Sequence, residues 1–582
     1  MKKLPSILIV LIAFAAVACG AVEEEEAAAP APAAAEATPS GDDGFAAFEA
    51  GATESEEAAP SPEPASPSET QAAPSTQVAE PLPGGVFRRL WADPPTLDPH
   101  LTTDTTSAGI VVEIFSGLVA LNTDLELVPD VAEKWKIDNG VVYTFTIRPN
   151  VLFHNGKRVT AHDFKWSIER AANPKTASPV ADTYLNDIVG ATDFIEGEAT
   201  EISGIKVIDD LTLQITIDAP KAYFLAKLTY PTAYVLDRET VEAGGRNWWV
   251  DNPVGTGPFT LKEYRIGERI VLERFEEYYR EPAQVERIHN NLAGGQSMAM
   301  YENDEIDITG VGLFDLDRVL DPNEPLNRDL VVAPPGFSVS YIGFNTSMAP
   351  FDDAKFRQAL NHAVDKELIA TEVLSELVVP AYAVLPPGFP AYNSEIKGLR
   401  FDAELAKRLL SESAYADPET RPRITVTVPG TGGTIGLDLE VIIEMWKQVL
   451  GVEVEIQQVE WATYLEDLDD QAFQAFAGLG WSADYPDPQD FLDILFHTES
   501  SINHGAYSNA LVDKVLEEAR VEQDVVRRVE LYRQAEQMIV DDAAWVPLWF
   551  TGDRYVLIKP YVEDYFMVPM IVPKLHRVRI EG

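Results

Sequence analysis

From about Gly85 onward the chain keeps changing its apolar period, and this limits the folds open to it. Val142-Tyr143-Thr144-Phe145-Thr146-Ile147 and Leu211-Thr212-Leu213-Gln214-Ile215-Thr216-Ile217 alternate with period two, the pattern of strands with one buried face. Ile110–Val119, Phe356–Ile369, Asp402–Leu410, Leu437–Leu450 and Leu511–Ile539 carry the helical period. Phe87-Arg88-Arg89-Leu90-Trp91, Tyr341–Thr346, Ile424–Val428, Val452–Ile456 and Trp545-Val546-Pro547-Leu548-Trp549-Phe550 read as further strands. Strands interspersed with helices predict mixed α/β layers rather than a bundle or a sandwich. A chain of 582 residues is too long for one core, so two to four domains are expected. Thr160 with Asp163 three residues on predicts a helix start close to a capping box, and Asn155-Gly156 a hairpin turn.

The first 83 residues belong to a different regime. Met1-Lys2-Lys3 and an apolar run from Leu4 to Ala18 make a signal-type leader, too short for a comfortable span. It ends Ala16-Val17-Ala18-Cys19-Gly20, which resembles a bacterial lipoprotein box, although Ala16 stands where that box most often has Leu. Cys19, the only cysteine, is the expected lipidation site, and ordinary cleavage near Ala18 is the alternative. More than one acyl chain is needed for stable anchoring. Residues 20–83 hold 14 acids, no Lys or Arg, and no apolar periodicity, which predicts a disordered tether spanning roughly 45 Å.

Several chemistries are excluded or weakened. With Cys19 in the leader, the body has no thiol catalysis, cysteine-based metal site or disulfide. It carries 80 acids against 43 bases, which repels nucleic acid. The eight histidines form no HExxH or other close pair, and no metal or cofactor is expected. Pro253-Val254-Gly255-Thr256-Gly257-Pro258-Phe259 lacks the GK[ST] ending of a phosphate loop. No nucleophile elbow or kinase-like set is present, and acid pairs are too many to single out a hydrolase.

One stretch has the makings of a ligand site. The apolar run Phe473–Leu479 leads into Gly480-Trp481-Ser482-Ala483-Asp484-Tyr485 and is stopped by Pro486-Asp487-Pro488. An indole, a carboxylate and a phenol are thereby set at the end of a rigid element. Asp487 and Asp490 read as turn and helix caps rather than calcium ligands.

Taken in order, Leu97-Asp98-Pro99, Phe115–Val119, Val131–Trp135, Tyr143 through Phe164, Pro253 through Phe259, Glu305-Ile306-Asp307, Tyr341 through Asn345, Arg357 through Lys366 and Gly480 through Tyr485 resemble the large solute-binding proteins of ATP-driven peptide importers, solute-binding family 5. That resemblance implies a two-lobed, type II periplasmic-binding-protein-like α/β fold, with an extra domain on the first lobe and a cleft between the lobes. Residues 84–120, 233–333 and 551–582 would form the first lobe, 121–232 the extra domain and 334–550 the second lobe. The resemblance also implies an extended peptide ligand added as a strand. Its α-ammonium would pair with Asp484, Trp481 would line a side-chain pocket, and the backbone of Gly480, Ser482 and Ala483 would bond the ligand. Tyr485, Trp461, Trp549, Phe550, Thr103 and Asp104 are further lining candidates.

The sequence departs from the pattern in three places. No basic residue occurs in Phe476-Ala477-Gly478-Leu479, Gly430-Thr431-Gly432-Gly433 stands where some relatives have His, and Thr103 then Asp104 follow where an acid is usual. The expected protein is a monomeric, lipid-anchored, extracytoplasmic receptor, not an enzyme, that partners an ATP-binding-cassette permease. An oligosaccharide or metal-chelate ligand is the alternative within the class, and a secreted hydrolase the alternative outside it.

Overall fold

The predicted strands fall into three sheets, the two of period two together in the third. The computed structural model describes residues 84–581, which lie in one compact unit; the leader, Cys19 and the 20–83 tether are outside the described residues. The first sheet has seven strands in the order Leu330–Ala333, Arg554–Ile558, Ile308–Gly310, Val86–Leu90, Arg287–Asn291, Arg269–Arg274 and Phe259–Arg265. The second has six, in the order Val378–Pro380, Trp545–Thr551, Ser338–Phe344, Ala475–Ser482, Ile424–Pro429 and Val454–Val459. Ile424–Pro429 and Val454–Val459 run parallel and are joined by the helix Leu437–Leu450, a βαβ unit. The third is a four-stranded antiparallel sheet of Ala132–Asp138, Val142–Ile147, Thr212–Thr216 and Ile205–Asp209. In Val142–Ile147, Tyr143, Phe145 and Ile147 are buried and their neighbours only half so, as the alternation requires.

The chain passes between the first two sheets twice. Residues 334–337 lead from Leu330–Ala333 to Ser338–Phe344, and residues 552–553 lead back from Trp545–Thr551 to Arg554–Ile558. Two short crossings between two separately packed sheets make the two-lobed fold. The C-terminal segment returns to the same junction: Phe337 N–H donates to Pro569 O at 2.9 Å, and Val568, Met570 and Val572 join the apolar cluster that holds Tyr341, Phe476 and Phe550 of the second sheet.

Local signals hold at several helix starts. The Asp163 carboxylate accepts the Thr160 N–H (2.8 Å) and hydroxyl (2.7 Å), and the helix Ala161–Ala171 follows. The helical pattern over Leu511–Ile539 is two helices, Ala510–Val521 and Val525–Asp541. The side chain of Asp524 accepts the Arg527 N–H and starts the second. The predicted Ile110–Val119 helix is instead Thr105–Ile114, begun by Asp104 capping Ser107 N–H. The chain beyond it becomes the strand Val119–Leu121, because strand pairing with Leu127–Pro129 overrides the helical period.

One buried acid gives a stability prediction. Glu536 is fully buried and accepts the backbone N–H groups of Val384 (3.0 Å) and Leu385 (2.8 Å), while its Oε2 has no partner. Burial pushes its carboxyl up to about 7, against the lowering effect of those two amides. A raised folded pKa favours folding below the unfolded value, and that contribution is lost as pH rises through the folded one. Glu536→Gln keeps an acceptor and removes the titration. Relative to the wild type, the variant is therefore expected to gain stability between pH 5 and 8, by up to ~3 kcal/mol. Urea unfolding of both proteins at the two pH values measures it.

Candidate ligand cleft

The strand Ala475–Ser482 is paired on one side along its whole length. It runs antiparallel to Ser338–Phe344, from Ser338 opposite Ser482 to Phe344 opposite Ala475, with an irregularity between Tyr341 and Gly343. Gly478 lies near that irregularity at φ +78°, a conformation glycine adopts without cost. On the other side the strand pairs with Ile424–Pro429 only through Ala475 and Phe476. Among the described residues no strand covers that edge from Ala477 to Ser482. Gly480 is held to glycine by packing, since a Cβ there would stand 2.7 Å from Val339 O.

Beyond the strand the chain is fixed by its own side chains. Ala483 N–H donates to Phe337 O at 2.8 Å. Asp487 accepts the Gln489 N–H and is gripped by Arg528 through two bonds of 2.8 and 2.7 Å. This bidentate pair and the two prolines make the turn rigid. Asp490 is not a helix cap, as the sequence suggested. It lies one residue into the helix Gln489–Phe496, is fully buried, and its Oδ2 accepts the Asp484 N–H (3.1 Å) and the Trp481 indole N–H (3.4 Å). Every residue of that helix is buried, so a carboxyl on it has only the interior to face.

Asp484 is half-buried, and the hydroxyl of Tyr184 donates to its Oδ2. Tyr184 comes from the short helix Ala181–Leu185 in the segment that carries the four-stranded sheet. Its ring stacks on Tyr230, centroids 3.7 Å apart and planes within 2°, and the Tyr230 hydroxyl donates to Thr102 O at 3.0 Å. Nearby, Thr183 and Ser501 share a hydroxyl–hydroxyl bond of 3.0 Å and Gln523 Nε2 donates to Pro220 O at 3.0 Å. The two sides of the cleft are thus in contact over Asp484. Val180, Tyr184, Tyr223 and Tyr230 share an apolar cluster with Tyr485, Phe491 and Phe550.

Both acids are pushed toward the protonated form. Burial raises the Asp484 carboxyl to about 7, with the Tyr184 hydrogen bond acting the other way. Burial also raises Asp490 well above the carboxylate range, and the neighbouring Asp484 charge adds to it. Asp490 Oδ1 has no hydrogen-bond partner, and neither acid has a salt-bridge partner among the described residues. A carboxyl desolvated with no cation beside it is a ready site for one.

The other candidates divide. Trp481 is half-buried beside Asp484, and Ser482 is half-buried at the end of the open edge. Trp461 opens the helix Trp461–Asp469 and lies nearly parallel to Tyr464 (6.0 Å, 11°), whose hydroxyl donates to Ala477 O at 3.2 Å, so it stands beside the same edge. Ala483 is buried and its N–H is already taken, which removes it as a donor to a ligand. Tyr485 is wholly buried, donates to Gln489 Oε1 and meets Tyr184 edge-on, so it forms the floor rather than the lining. Phe550 is buried on the cleft side. Trp549, its neighbour in the strand, points the opposite way into the core and donates to Asp438 at 2.8 Å, so it is no part of the cleft. Asp104 is a helix cap at the far end of the tyrosine stack, beside the half-buried Thr103. The sequence reading missed Tyr184, Tyr230 and the inward role of Asp490. Among the described residues no group of three or more His, Cys, Asp or Glu is placed to hold a metal ion.

The model of the bacterial extracellular solute-binding proteins, family 5 (middle region), matches residues 126–503, more than half of the chain. The chain belongs to this family. It is 32% identical over 488 residues to the periplasmic oligopeptide-binding protein OppA of Salmonella typhimurium, covering 81% of this chain and 87% of that protein. It is 31% identical over 500 residues to the probable deoxycholate-binding periplasmic protein YgiS of Escherichia coli, covering 83% and 91%. The solved structure of the Escherichia coli murein tripeptide-binding protein MppA superposes with a TM-score of 0.77 at 28% identity, covering 87% of this chain and 99% of that one. The family assignment fits the two-lobed architecture and the cleft between its sheets.

Proposed function

We propose that the protein is an extracytoplasmic receptor that captures short peptides between its lobes and hands them to an ATP-binding-cassette importer. One observation carries the reading: a carboxyl without a cation, Asp484, stands at the end of an uncovered strand edge, Ala477–Ser482. An extended peptide matches both features, with backbone groups for the edge and an ammonium for the carboxyl. Trp481 and Trp461 then flank the bound backbone, and Tyr184 gives up its bond to Asp484 as the ligand enters. The lobes open and close about the two crossings at 334–337 and 552–553. Lipidation at Cys19 and the 20–83 tether would hold the receptor at the outer face of the cytoplasmic membrane, working as a monomer.

The same two features weigh against an oligosaccharide and against a bile acid, the ligand that one relative's name gives. A neutral oligosaccharide has no cation for Asp484, and a bile acid such as deoxycholate brings a second negative charge to a site that already holds two carboxyls. The oligopeptide- and tripeptide-binding relatives favour a peptide. Native mass spectrometry of the protein as purified from its own host tests the ligand class. Bound masses that fragment into free-amino peptides are expected; a hexose ladder or a metal isotope pattern would overturn the reading, and turnover of the ligand would make it an enzyme.

A further inference from the structure

Asp490 is the unusual member of the cleft. It sits behind Asp484 with both oxygens inside the protein, one accepting two N–H groups and the other accepting none. An unpartnered buried oxygen is costly, so its place beside the Asp484 carboxyl calls for an explanation. The groups around the two acids are Tyr184 and Tyr230 from one side of the cleft, and Trp481, Tyr485 and Asp487 from the other. Asp487 is already neutralised by Arg528. Thus tyrosine hydroxyls, an indole and acids face the pair, with no lysine or arginine paired to either carboxyl among the described residues.

We propose that Asp490 is a second acid of the amine site, and that without ligand the Asp484–Asp490 pair shares one proton, which the incoming ligand ammonium displaces to solvent. The exchange balances: one proton leaves, one R–NH3+ enters, and the net charge of the enclosed pair is unchanged. Two neighbouring acids in one buried place do not both ionise until a cation joins them. The ammonium has three N–H donors, enough for Asp484 and for the oxygen of Asp490 that now lacks a donor. Peptide capture by this receptor is then coupled to proton release, and weakens in acid. The naming of the cation rests on the peptide reading above; the shared proton does not.

Asp490→Asn tests this, because the amide keeps an acceptor for the Asp484 and Trp481 N–H groups and cannot hold the shared charge. Calorimetry of a free-amino tripeptide at pH 7 in two buffers of different ionisation enthalpy counts the protons. The wild type is expected to release close to one per complex and the variant half or less. Between pH 6 and 7.5 the wild-type Kd should fall toward tenfold per unit, and the variant's should fall less. Equal release by both proteins, or none by the wild type, overturns the proposal. Infrared difference spectra of the ligand-free protein supply the independent arm. A protonated-carboxyl band at pH 7 that weakens in Asp490→Asn supports the shared proton even if no peptide binds, in which case the peptide reading alone fails; absence of the band sinks the pair.

Discussion

Asp484→Ala is expected to weaken binding of a free-amino peptide by roughly 150- to 5,000-fold, the effect of leaving a buried charge without its partner at about 3–5 kcal/mol. The loss falls on the ligand's ammonium, which loses the Asp484 carboxylate and keeps only the buried Asp490, while the uncovered Ala477–Ser482 edge still offers backbone bonds. The fold itself should not weaken. In the ligand-free protein Asp484 is a half-buried acid whose carboxyl burial pushes up to about 7, with only the Tyr184 hydroxyl donating to it, so truncation removes a desolvation cost along with one bond. An unchanged melting temperature together with lost affinity in calorimetry would separate this role from a structural one. A variant that binds the peptide as tightly as the wild type would remove Asp484 from the amine site.

The largest effect on stability is expected at Arg170. Asp98 is almost wholly buried, and its carboxylate accepts Arg170 Nη1 (3.0 Å) and Nη2 (2.5 Å), the Trp248 indole N–H (2.9 Å) and the His100 N–H (3.0 Å). The cluster ties the helix Ala161–Ala171 to the Leu-Asp-Pro loop beside the first sheet. Burial acts to raise the Asp98 carboxyl, but the hydrogen bonds and charge of Arg170 carry it below the usual range. Arg170→Ala would leave that carboxylate uncompensated and is expected to destabilise the fold by about 3–5 kcal/mol in urea unfolding at pH 7. Because the folded pKa is lowered, the wild-type contribution exists above the unfolded value and is lost as pH falls. The gap between variant and wild type should therefore narrow toward pH 3. Asp98→Asn in the Arg170→Ala background should recover part of the loss, since it removes the orphaned charge.

How much of this the sequence carried follows from the range of each interaction. Period-two alternation located Val142–Ile147 because one face of that strand is packed and the other is not. The Thr160–Asp163 start was legible because capping is local. The aromatic run predicts the strand Trp545–Thr551, but with both of its faces buried, alternation cannot say which of Trp549 and Phe550 faces the cleft. Asp490 looked like a cap because an acid in the first turn usually is one. Its inward aim depends on the helix Gln489–Phe496 being enclosed on all sides. Tyr184 lies 300 residues from the acid it bonds, and nothing in its neighbourhood marks it. The motif around Asp484 was readable because a strand, a turn and their stop signals are contiguous; the tyrosines that meet it come from elsewhere in the chain.

The peptide reading requires that an amino terminus be held at Asp484. The most direct measurement is a calorimetric titration of the wild type with one short peptide and its N-acetylated twin, identical but for the positive charge. Tight binding of the free-amino peptide is expected, with a loss of two orders of magnitude or more on acetylation. Equal affinity for the two peptides would contradict it.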